Sequence, residues 1–275
     1  MSGETSRSQI GLALGGGAVR GFAHIGVLQV LEDAGIPIDM VSGTSIGSVI
    51  GAFYCAGVPL AMVEDIAVDV NWWQFARPTL SRDGLLSFAP LEKWLEQYLG
   101  PLHFEDLATP LAVVTTDMLT GETVIFDSGP LAPAVRASCS IPGLVTPRRH
   151  EGRILCDGAI SDNLPGDVLY EMGADFVIGV DVFRSAYKRP FHLGPLGRGL
   201  TAVEILVRKS GNGLINADCL ISPELAGATY VRFSKRTEMV NAGRIATIAH
   251  LDCIEAQIRN KKTTGSSGTQ RIDRP

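Results

Sequence analysis

Gly43-Thr44-Ser45-Ile46-Gly47 sets a serine between two glycines, directly after the short run Asp39-Met40-Val41-Ser42. A strand, a sharp turn carrying Ser, then a helix is the nucleophile-elbow arrangement. Gly43 and Gly47 let two backbone segments close around Ser45, and the turn lifts its hydroxyl above the strand ends. Upstream, Gly15-Gly16-Gly17-Ala18-Val19-Arg20-Gly21 follows the apolar run Ile10-Gly11-Leu12-Ala13-Leu14. This string reads as a turn entering a helix, whose free N–H groups point at whatever anion sits there. A nucleophile and a nest of N–H donors are the minimum apparatus for acyl transfer. The competing reading of the first string is a dinucleotide turn, which needs G-x-G-x-x-G and an acidic residue at the end of the next strand. Gly15 and Gly17 fit that pattern. Arg20 stands where the third glycine belongs, and Asp39 begins the next strand instead of ending it. A third string, Leu155-Cys156-Asp157-Gly158-Ala159, puts a carboxylate at a strand-to-loop edge.

These three strings, in this order and spacing, resemble the motifs of patatin-like phospholipases. The likeness is closest to bacterial single-domain members and to the esterase domain of neuropathy target esterase. It runs from about Gly11 to Val182 and includes Arg136-Ala137-Ser138-Cys139-Ser140-Ile141-Pro142-Gly143. The resemblance implies a Ser–Asp dyad, with Ser45 as nucleophile and Asp157 as base. It implies an oxyanion hole in the loop Gly15, Gly16 and Gly17, formed by N–H groups at Gly16 and Gly17, with Arg20 holding that loop. It further implies hydrolysis of fatty-acyl esters of phospholipids or lysophospholipids without cofactor or metal. A carboxylate is a weak base toward a serine hydroxyl unless its pKa is raised, so the glycine loop is expected to carry much of the catalysis. The alternatives are a general carboxylesterase or acyl thioesterase, and a catalytically silent acyl-binding regulator on the same fold.

A Ser–Asp–His triad is the mechanistic rival. In α/β-hydrolases the histidine follows the acid, and after Asp157 the chain has His192, in a loop of no particular pattern, and His250, in a predicted helix. Asp162 and Asp181 compete with Asp157 as base. His24, one turn into the first helix, reads as a structural hydrogen-bonder and Cys139 as packing.

Composition bounds the partners. The chain has 275 residues, 45% hydrophobic, with net charge −5, a sequence pI near 5.6 and mean hydropathy +0.19. No basic patch suggests nucleic acid, and contact with lipid must be mainly hydrophobic. The five cysteines are scattered and odd in number, which reads as buried thiols in a reducing, cytoplasmic compartment. No signal peptide is evident, and the greasiest stretch, residues 49–63, is broken by Gly57 and Pro59 before the roughly 20 residues of a membrane span. Peripheral contact with a membrane is compatible with this composition. Trp72, Trp73 and Phe75 either cap the core or line a lipid-accepting mouth, and residues 71–89 are the lid candidate.

The elements that must position this chemistry alternate along the chain. Strands are predicted at residues 10–14, 39–42, 111–116, 122–126, 154–156, 176–181 and 229–233. Helices are predicted at 20–34, 46–56, 61–70, 91–99, 133–138, 164–172, 200–214 and 242–258. Alternation of this kind means an α/β fold with a mostly parallel central sheet, covered by helices on both faces. The expected organisation is a polar segment over residues 1–9, one hydrolase domain over 10–262 and a disordered polar tail over 263–275.

Overall fold

The computed structural model describes residues 7–183, 194–211, 216–225 and 233–264. β1 (Ile10–Leu14) leads through a 3-10 turn at Ala18–Phe22 into α1 (Ala23–Asp33). β2 (Met40–Thr44) leads into α2 (Ile46–Cys55), followed by α3 (Leu60–Asp69), the short α4 (Trp72–Phe75) and a clip of β3 (Arg77–Pro78) and β4 (Leu86–Ser87). α5 (Ala89–Leu99) precedes the hairpin β5 (Leu111–Asp117) and β6 (Thr123–Phe126). α6 (Leu131–Ser138) precedes a second hairpin, β7 (Arg148–His150) and β8 (Arg153–Asp157). Then come α7 (Gly166–Glu171), β9 (Phe176–Val180), α8 (Pro195–Lys209), β10 (Cys219–Ile221), α9 (Arg236–Ile248) and α10 (Leu251–Thr264).

The sheet order is β10-β9-β1-β2-β5-β8-β7, with β6 also on β5. The run from β10 to β5 is parallel, while β6 and β8 lie antiparallel to β5. Every residue of β1, β2, β5 and β9 is buried, as parallel strands covered on both faces require. Side chains alternate across the sheet. Leu12 and Leu14 join Val41, Val113 and the α1–α2 residues Leu28 and Phe53 in the larger core. Ala13 joins Met40, Val177 and Leu169 of α7 in a second cluster. Helices therefore cover both faces, as the alternating pattern predicts.

Several expectations change. The 242–258 helix is two helices, α9 and α10, broken where the His250 N–H bonds Thr247 O. Thr263 and Thr264 end α10 and do not begin a tail, while residues 1–6 and 265–275 lie outside the described residues. Of the predicted strand at 229–233 only Phe233 is described, and it opens a 3-10 turn. Four cysteines are buried as expected, but Cys253 is exposed. Among the described residues no helix is long and apolar enough to cross a membrane.

Candidate active site

One edge of β5 brings the two chemical strings together. Val114 pairs with Thr44, the last residue of β2. The next residue, Thr115, pairs with Asp157, the last residue of β8. The opposite edge of both residues is taken by β6. β2 and β8 therefore run toward each other along a single edge and stop one residue apart. Ser45 and Asp157 are what stands at that junction. The Ser45 hydroxyl donates to Asp157 Oδ2 at 2.8 Å.

Ser45 holds φ 54 and ψ −125, a left-handed conformation costly for a residue with a Cβ. The surroundings enforce it. Its N–H donates to Ser138 Oγ at 2.8 Å, and Ser138 Oγ donates to Val114 O at 2.6 Å. Its carbonyl accepts from the Ser48 hydroxyl at 2.6 Å. The two glycines of the elbow are required by space. A Cβ on Gly43 would sit 2.7 Å from the Ser48 backbone, and one on Gly47 would sit 2.0 Å from Leu14 O.

Asp157 is buried, and its other carboxylate oxygen accepts from Ala159 N–H at 3.0 Å. Its own N–H donates to Ser140 O at 2.9 Å. Burial raises its pKa to about 6, and the bonds from Ala159 and Ser45 offset part of that rise. Asp181 spends its carboxylate on Phe183 N–H. Asp162 is also raised by burial, to about 6, and its carbonyl holds Thr44 Oγ1. Of the histidines, His250 Nδ1 bonds Ala246 O within its own helix end, and His192 lies outside the described residues. His24 is fully buried, its Nε2 bonds Gly15 O at 2.8 Å, and burial lowers its pKa to about 4. It is a neutral tie between α1 and the glycine loop.

The glycine loop requires a correction. The Gly15 N–H donates to Val180 O and the Gly16 N–H to Asn163 O, both at 3.1 Å. Those two donors are committed to the fold and are not available to an oxyanion. No described residue accepts from the N–H of Gly17 or Ala18, and both residues line a cavity with Ser45 and Asp157. Gly16 is needed for closeness instead, since a Cβ there would wedge between Asn163 Oδ1 at 2.7 Å and Ser45 Cβ at 3.3 Å. Arg20 is 1% exposed, so it does not face solvent.

Three residues at the site carry roles the motifs did not assign. Ser138 and Ser140, in the Arg136-to-Gly143 string, hold the nucleophile's N–H and the aspartate's N–H respectively. Asn163 grips Gly16 with its carbonyl and directs an amide toward the same residue, Nδ2 to Gly16 O at 3.4 Å. Its Oδ1 is buried with no partner among the described residues. The signal for Asn163 was its place shortly after Asp157 in Ser161-Asp162-Asn163-Leu164-Pro165.

Ser45 opens on two cavities. The inner chamber holds about 820 Å³ counting its mouth and is walled by Val49, Phe53, Val63, Phe75, Leu91 and Trp94. The outer arm, about 1230 Å³ counting its mouth, also contains Asp157, Gly17 and Asn163. The lid candidate, residues 71–89, contributes three residues to these walls. Phe75 and Phe88 face the inner chamber, Leu86 faces the outer arm, and Leu86 is strapped to Leu144 and Thr146 by backbone bonds. Trp73 is 66% exposed, and the Trp72 side chain lies outside the described residues. Among the described residues no group of three or more His, Cys, Asp or Glu is gathered as metal ligands.

A family model described as patatin-like phospholipase matches residues 12–170. An uncharacterized NTE family protein of Mycobacterium tuberculosis is 37% identical over 181 residues, 65% of this chain and 50% of its own length. Lysophospholipase NTE1 of Coccidioides immitis is 37% identical over 179 residues, covering 63% of this chain and 11% of its own. The chain thus spans about half the length of the first of these relatives and much less of the second. Among solved structures, VipD from Legionella pneumophila superposes with a TM-score of 0.55 at 14% identity, over 90% of this chain and 67% of that one. That likeness is one of fold.

Proposed function

The chain belongs to the patatin-like phospholipase family, and from that premise we propose that it is a serine lipid acyl hydrolase working through Ser45 and Asp157. The observation that carries the reading is the 2.8 Å bond from Ser45 Oγ to Asp157 Oδ2 at the mouth of an apolar chamber. Ser45 Oγ attacks the ester carbonyl as Asp157 takes its proton. The N–H groups of Gly17 and Ala18 receive the oxyanion. The tetrahedral species collapses, the carbon–alkoxide bond breaks, and Asp157 returns the proton to the departing oxygen. Water gives a proton to the same carboxylate as it attacks the acyl-enzyme, the bond from Ser45 Oγ to the acyl carbon breaks, Asp157 returns the proton to Ser45 Oγ, and fatty acid leaves. A base near pKa 6 is better matched to this task than an ordinary carboxylate, and the strained elbow keeps the hydroxyl presented. Arg20, His24 and Asn163 hold the loop in place.

The substrate is a fatty-acyl ester of a phospholipid or lysophospholipid, in keeping with the family's description and with the name of the fungal relative. The exposed Trp73, Leu80 and Leu85 within residues 71–89 suit peripheral contact with a lipid surface. Five free cysteines suit a reducing cytoplasm. The test is release of fatty acid from long-chain phospholipid by wild type, Ser45→Ala, Asp157→Asn, His192→Ala and His250→Ala. The proposal expects losses of about 1000-fold or more for the first two variants and little change for the histidine variants. A severe loss from either histidine change in folded protein would contradict it and favour a triad.

A further inference from the structure

We propose that the outer arm takes a hydrocarbon chain carried by the leaving alcohol, so that this protein prefers esters of two-chain glycerolipids over lysophospholipids. The inference rests on the acyl-hydrolase reading above and narrows its substrate. Ser45, Ala18 and Ile141 line both cavities, so the nucleophile stands at a fork. The proton decides which arm serves which half of the ester. Asp157 lines the outer arm and not the inner chamber. The group that returns a proton to the departing oxygen must lie on the departing side. The acyl chain therefore fills the inner chamber, and the alcohol leaves through the outer arm.

The outer arm is built for hydrocarbon. Beyond Asp157 its wall is Leu86 and Leu144 from the lid candidate and its strap, Ile160 and Phe183 from the loops over the sheet, and Val203 and Val207 from α8. Glu204, one position from Val203, adds a carboxylate to the same wall, paired with Arg208 at 3.0 Å. The alcohol released from a lysophospholipid is a bare glycerophosphoester, polar and anionic at phosphate, and beyond the catalytic groups it would meet the apolar wall and the Glu204 carboxylate. The alcohol released from a diacylglycerolipid carries a second chain that can follow the wall while its head group stays at the mouth. Burial of each methylene of that chain is favourable.

The experiment compares dipalmitoylphosphatidylcholine with 1-palmitoyl-lysophosphatidylcholine at equal mole fraction in nonionic detergent micelles. Wild type is set beside Val203→Trp and Leu86→Trp, which fill the arm from two different elements, and Ser45 occupancy by a small fluorophosphonate reports that each variant keeps its site. The expected result is a kcat/KM at least ten-fold higher for the diacyl lipid in wild type, with that ratio falling toward one in either filled variant. Equal or faster cleavage of the lysolipid by wild type, or a ratio unmoved by both variants, would overturn the inference while leaving the hydrolase reading in place. Cleavage of neither lipid, with Ser45 unlabelled, would overturn both.

Discussion

Ser45 and Asp157 each hold a state that folding alone would avoid, and each makes a separable prediction. At φ 54 and ψ −125, Ser45 occupies a region that glycine enters freely, at a cost of about 1–3 kcal/mol for other residues. Ser45→Gly should abolish hydrolysis and yet raise stability by about 1 kcal/mol or more, while Ser45→Ala abolishes hydrolysis without that gain. Urea unfolding of the three proteins checks it. Asp157 has a folded-state pKa of about 6, raised chiefly by burial. The folded protein therefore binds this proton more tightly than the unfolded chain. Stability from this group is greatest below about pH 4 and is lost as pH rises to 6, a penalty of about 3 kcal/mol above that. Asp157→Asn should match wild type in stability at pH 4 and exceed it at pH 7.5, while being nearly inactive. The activity of wild type should rise with pH around a midpoint near 6, because only the ionised carboxylate can accept the Ser45 proton.

At the scale of elements, the site is a consequence of two strands ending against one edge of β5, and of helices pressed close to them. Gly47 makes one of the tightest of these contacts, since a Cβ added there would meet Leu14 O at only 2.0 Å. Gly47→Ala should push α2 off β1, cost about 3 kcal/mol, the upper end for overpacking, and slow hydrolysis more than its effect on substrate KM. Much of this was legible in the sequence. The strand-turn-helix signals around Ser45 and the alternation of elements are local, and the fold class, α2, α3, α5 and the β5–β6 hairpin follow from them. The Ser45–Asp157 pairing was legible only through the family-like strings, because the register that joins β2 and β8 on β5 is set by contacts far apart in sequence. The same reason hid the fate of the Gly15 and Gly16 donors. Their acceptors, Val180 and Asn163, lie far along the chain, and nothing in the glycine string announces them. β7 and the β3–β4 clip were missed because such short strands have no period to read.

Over the whole molecule, the proposed activity requires a long-chain ester to pass from a lipid aggregate to Ser45, and Trp73, exposed within residues 71–89, is placed for that passage. Trp73→Ala should reduce hydrolysis of vesicle lipid several-fold more than hydrolysis of nitrophenyl butyrate. Equal losses on both, with a lowered Tm, would return this residue to the core's support. The central claim is that Ser45 is a nucleophile activated by Asp157. The most direct measurement is the rate and position of covalent labelling by a long-chain fluorophosphonate, read by mass spectrometry of the digested protein. The account predicts one adduct per chain, on Ser45, absent in Ser45→Ala and slower by about 100-fold or more in Asp157→Asn. Folded wild-type protein that stays unlabelled, an adduct on another residue, or an Asp157→Asn variant labelled as fast as wild type would contradict it.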